Sequence, residues 1–92
     1  MKYLYLPLKS EYFNDIKIGI KKEEYRLYNE YWIKRLVNRE YDRIAFTLGY
    51  PKKNDLDKRL EFNYNGYEIK EITHKHFGNI PTKVFAIKIY EQ

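Results

Sequence analysis

Side chains alternate in character through Tyr3–Leu8, Glu23–Tyr28, residues 42–48 and Leu60–Tyr64, and turn and loop signals set off residues 67–72 and Val84–Tyr90 as two further strands. Alternation is the period of a strand with one buried face, so these runs read as six short strands. Two stretches between them carry a different period. Tyr12, Phe13, Ile16 and Ile20 recur at steps of one, three and four, which predicts a helix over 11–18 with Ser10 as N-cap and Gly19 as a left-handed C-terminal cap. Trp32, Ile33, Leu36 and Val37 form the buried stripe of a second helix that Asn29 caps and Glu30 begins. Lys34, Arg35 and Arg39 fall on the opposite face of that helix, which meets solvent or a ligand, a solvated face being the commoner outcome. Six short strands and two short helices imply an α+β domain whose sheet curls to protect its edges, with a small, partly open β-barrel as the natural closure.

Local signals refine this outline. Pro7 cannot donate within a ladder, so Tyr3–Leu8 reads as an edge or terminal strand. Gly49 to Asp57 is the longest polar, breaker-rich stretch. Asn65-Gly66 between two alternating runs predicts a type I′ hairpin, with residues 67–72 returning as the partner of the preceding strand. Thr73 to Lys83 is a loop that interrupts the sheet before the last strand. With 92 residues and no Pro/Gly/Ser-rich linker, residues 1–92 form a single domain. Such a small core relies on aromatics, and eleven Tyr and five Phe supply them; many of the hydroxyls belong at the rim of the core or in a wet cleft.

The absence of cysteine removes disulfides, thiolate catalysis and cysteine-ligated zinc. The pair His74-x-His76 has no well-placed third ligand, so no metal and no cofactor is expected. No run has the length of a signal peptide or a membrane span, which predicts a soluble cytoplasmic protein. A formal charge of +5 and a pI near 9.3 turn the expected partners toward polyanions.

The richest chemistry lies in Gly19-Ile20-Lys21-Lys22-Glu23-Glu24-Tyr25-Arg26. A glycine turn followed by a strand sends Glu24 and Arg26 to one side and Tyr25 and Leu27 to the other. Two residues apart on one face, Glu24 and Arg26 are close enough to pair, and a guanidinium also grips phosphate in bidentate fashion. Tyr28, at the end of the same run, joins the candidate ligand-binding set. His74, His76 and Phe77, with Lys75, mix aromatic and basic groups in a loop suited to unpaired bases and their phosphates. Pro51-Lys52-Lys53-Asn54 and Lys58-Arg59 add charge on a second loop.

The spaced pattern G-x-K-x-x-E-x-R formed by Gly19, Lys21, Glu24 and Arg26 resembles the motif that opens the cleft of ASCH domains, relatives of the PUA fold. Tyr41-Asp42-Arg43-Ile44-Ala45-Phe46 is similar to their G-D-x-I-x-F, lacking only the glycine, and leaves the left-handed position to Asn38. Gly66-Tyr67-Glu68-Ile69 and Val84-Phe85-Ala86-Ile87 resemble their hairpin and final strand, so the likeness covers nearly the whole chain. It implies a PUA-like, curled mixed β-barrel with a cleft for RNA, nucleotides or modified nucleosides. Some members of that family deacylate acetylated cytidine with a lysine, a threonine and a distal glutamate. Lys21 matches the lysine, but Glu24 stands at the threonine position and removes that hydroxyl.

Three functions follow as expectations. The first is a module that binds single-stranded RNA, a nucleotide or a modified nucleoside in a basic cleft around Lys21, Glu24 and Arg26. The second is a hydrolase, an RNase or an amidohydrolase, with Lys21 and Glu24 as catalytic groups. The third is a phage-type inhibitor whose tyrosine-rich surface acts by protein–protein contact.

Overall fold

Two three-stranded sheets share one core in the computed structural model, which describes residues 1–49 and 56–89. The elements run β1 (Tyr3–Leu8), α1 (Ser10–Lys17), β2 (Glu23–Leu27), α2 (Glu30–Leu36), β3 (Arg43–Leu48), β4 (Arg59–Asn63), β5 (Tyr67–Ile72) and β6 (Thr82–Lys88). The first sheet has the order β1-β3-β4 and the second β2-β6-β5. β1 and β3 are parallel, so the chain leaves the first sheet through α1, adds β2 to the second, and returns through α2. All other pairings are antiparallel.

The period-2 rule decides the core. Leu4, Leu6 and Leu8 of β1 and Ile44 and Phe46 of β3 turn inward to meet Phe85 and Ile87 of β6. Phe13 and Ile16 of α1 and Leu36 of α2 close the cluster. Each fully buried side chain of this size contributes about 1.5–3 kcal/mol. Because β1, β4, β2 and β5 are the outer strands, four ladder edges remain, and no ladder joins the two sheets among the described residues. Among those residues, too, no helix is long and apolar enough to cross a membrane.

Several local expectations hold. Asn29 caps α2 by accepting from the Trp32 amide at 3.0 Å, and Pro7 lies in an outer strand. Gly19 has φ 83° and completes a Schellman cap: its amide donates to Ile16 O at 3.1 Å, and that of Ile20 to Asp15 O at 3.0 Å. Asn38 takes the left-handed conformation at φ 57°.

Others are corrected. Ser10 is the first residue of α1 rather than its cap, which falls to Lys9 with no side-chain hydrogen bond. Ile20 does not continue the buried face of α1; the cap carries it out of the helix to 70 % exposure. The Asn65-Gly66 hairpin does not form, since β4 pairs with β3 while β5 crosses to the second sheet to pair with β6. Only Gly66 of the two has positive φ, whereas a type I′ turn needs it at both central residues. The Pro51-Lys52-Lys53-Asn54 turn and Tyr90 lie outside the described residues.

Candidate functional site

The free edges of β1 and β2 face each other across a cleft of about 500 Å³. Its lining comes from Tyr5, Pro7 and Leu8 of β1, Lys9, Tyr12 of α1, Lys21, then Glu24, Tyr25 and Arg26 of β2. Tyr31, Trp32 and Arg35 of α2 and His74 and Phe77 of the loop after β5 complete it. The volume suits one nucleotide-sized ligand.

Local structure aims the central residues. The Schellman cap of α1 draws the Lys21 amide onto Asp15 O at 3.1 Å, which turns the chain so that Lys21 enters the cleft. β2 then alternates, and Glu24 and Arg26 point to the cleft from the core-facing side of the second sheet, in register with Ile87 and Phe85. Glu24 is the one charged residue in the core among the described residues, at 4 % exposure. Its burial is tolerated because both oxygens meet cations: Oε2 accepts from Arg26 Nη1 at 2.5 Å, and Oε1 lies 3.4 Å from Lys21 Nζ. Arg26 also donates from Nη1 to Tyr25 O and from Nη2 to Pro7 O, each at 3.2 Å.

Aromatic rings wall the charged floor. Lys21 Nζ lies 5.2 Å from the Tyr12 ring centre and 4.9 Å from that of Tyr25. The Arg26 guanidinium lies 5.3 Å from the Trp32 ring, and that of Arg35 lies 4.3 Å from Tyr31. These distances are in cation–π range, so each cation lies against a ring, and Lys21 and Arg26 are held by Glu24 as well. His74 sits among Tyr12, Phe77 and Tyr25, with ring centres 6.0, 6.2 and 6.4 Å away. Lys9, Lys21, Arg26 and Arg35 face the single carboxylate of Glu24, so the cleft is positive.

Lys21, Glu24, Arg26, His74 and Phe77 of the expected set therefore meet in one cavity. Tyr28 does not line it: just past the end of β2, its ring lies against Phe85 at 5.1 Å, with Lys83 Nζ 4.2 Å from the ring centre. The His76 side chain lies outside the described residues. Lys75 points away from the cleft and pairs with Glu11 Oε1 at 2.7 Å, tying the loop to α1. The hydrogen bond and charge of Lys75 hold Glu11 below the usual carboxylate range. No three His, Asp or Glu side chains gather around a metal position among the described residues.

The walls are built from residues whose periodicity signals only packing or exposure. Tyr12 and Trp32 pack against the core as their stripes predict and Arg35 is exposed, yet all three also border the cleft, a role the stripes alone do not signal. One signal was present: Tyr31 and Arg35 stand four apart on a helix, a spacing at which ring and guanidinium meet. Tyr25 also serves two surfaces. Its ring borders the cleft while its hydroxyl donates to Glu23 Oε1 at 3.1 Å, and burial first, then that bond, pushes the phenol up. Comparison of the chain with protein-family models, curated proteins and solved structures finds no match.

Proposed function

We propose that this cleft binds a nucleotide unit of single-stranded RNA, or a modified nucleoside, in the manner implied by the likeness to ASCH domains. The observation that carries the reading is the convergence of Lys21, Glu24 and Arg26 on a positive, aromatic-walled hollow of about 500 Å³. Phosphate is drawn by cations, an unpaired base by rings on which it stacks, and the two needs are met side by side only in such a site. Two sheets sharing a core and bridged by Arg26 support a PUA-like, partly open barrel as the frame.

Binding is favoured over hydrolysis by the state of Glu24. Both of its oxygens are engaged by cations, so it acts as the anchor that orients Arg26 and Lys21 rather than as a base that takes a proton. Lys21, held between two rings and a carboxylate, acts as a phosphate anchor.

Fluorescence anisotropy with a labelled single-stranded RNA over about 50–200 mM salt tests this. The expected logarithmic slope is about −2 to −4, as for about three to five phosphate contacts on a single strand. Absence of binding, or binding indifferent to salt, overturns the reading.

A further inference from the structure

The outer face of the β1-β3-β4 sheet carries a layer that the core does not use and that the cleft touches only at Tyr5. Tyr3 and Tyr5, two apart on β1, stack with ring centres 5.5 Å apart and planes within 15°. From β4, the Arg59 guanidinium reaches over both, 5.6 Å from Tyr3 and 5.3 Å from Tyr5. Glu61 holds that guanidinium through an Nε–Oε2 contact of 2.7 Å. Arg43, opposite Tyr3 in register, donates to Asn63 Oδ1 at 2.7 Å. Register explains why these groups lie flat: between Tyr5 and Glu61 stands Ala45, fully buried although it points outward, so its neighbours fold across it.

Tyr5 makes this layer continuous with the cleft, since it borders the cavity and remains 54 % exposed. We infer that this face is a stacking subsite for the nucleotide next to the one in the cleft, so that a single RNA strand runs from the hollow across Tyr5 and Tyr3. The inference rests on the RNA reading of the cleft and extends it outward. Tyrosine rings and guanidinium planes are the surfaces on which unpaired bases stack without sequence preference. Arg59 and Arg43 against Glu61 leave the layer positive, which suits the adjoining phosphates.

An amide NMR titration with uridine monophosphate, then with the di- and trinucleotides of uridine, tests the inference. The trinucleotide is expected to bind about tenfold more tightly than the monophosphate, the gain of one stacked base. Amides of Tyr3, Ala45 and Arg59 are expected to shift only with the longer ligands. Tyr3→Leu and Arg59→Gln, both outside the cleft, should each remove most of that gain while leaving monophosphate affinity within about twofold. Monophosphate binding without a gain on lengthening, or with a gain kept in both variants, overturns the subsite and leaves the cleft reading standing. Failure of all three ligands overturns both. Shifts at Tyr3 that follow protein concentration without RNA assign the face to a second copy of the chain and overturn the subsite.

Discussion

Arg26 joins the two sheets by donating from Nη2 to the backbone oxygen of Pro7 at 3.2 Å, from the free edge of β2 to the free edge of β1. The same guanidinium neutralises Glu24 at 2.5 Å, so one side chain closes the floor of the cleft and satisfies an edge carbonyl. Structure and binding are therefore coupled at this residue.

Arg26→Leu is expected to destabilise the domain by about 3 kcal/mol, because it leaves a buried carboxylate with only the more distant Lys21. Replacing Glu24 by Leu as well should recover much of the loss. Urea unfolding of both variants measures this, and equal stability of the single variant and the parent would argue against a paired, buried Glu24.

Lys21→Ala should weaken RNA affinity about tenfold, the loss of one charge-assisted contact. The salt slope should become shallower by about 0.7, one phosphate on a single strand. Trp32, the only tryptophan, borders the cleft beside Arg26, so its emission reports ligand entry directly. An unchanged slope in the variant removes Lys21 from the phosphate contacts.

Glu23 and Lys70, on the outer face of the second sheet, pair at 2.8 Å. The Lys70 hydrogen bond lowers the Glu23 carboxyl from 4.5, and the same bond raises Lys70 from 10.5. The carboxylate contribution is thus present above pH 4.5 and is lost as pH falls through its lowered value. The ammonium contribution is present below pH 10.5 and is lost as pH rises through its raised value. The stability difference between the parent and Lys70→Met should be flat between those limits and shrink beyond either, as read by denaturant midpoints across pH; a difference that varies within the window contradicts the pairing.

Tyr64→Phe should be neutral or should stabilise by about 1 kcal/mol, since it removes a buried hydroxyl without a partner among the described residues. Burial, with Tyr67 and Tyr41 adding to it, pushes this phenol up to about 12. In the parent, one tyrosine should accordingly resist ionisation in an ultraviolet pH titration until that range, and Tyr64→Phe should delete that late step.

Much of the frame was legible from period and punctuation. Alternation marked the first four strands and sent Glu24 and Arg26 to one side, because successive side chains in a strand point to opposite faces, while β6 is apolar on both faces and was marked by the loop before it. Gly19, Asn29 and Asn38 were legible because left-handed backbone and helix caps are chosen by single residues. The Asn65-Gly66 reading failed where a local cue met a distant one. A turn dipeptide shows that the chain bends, but β5 gains more by covering Phe85 with Tyr67, ring centres 4.9 Å apart, than by folding back on β4.

Strands, helices and the sides on which Glu24 and Arg26 lie follow from neighbours within a few positions, and the basic charge follows from composition. That β4 and β5 enter different sheets, that two strand edges meet at Arg26 and Pro7, and that Tyr12, Trp32 and Arg35 wall a cleft emerge only once the chain is packed. Those outcomes depend on which distant edges and faces bury each other, and no local period records that choice.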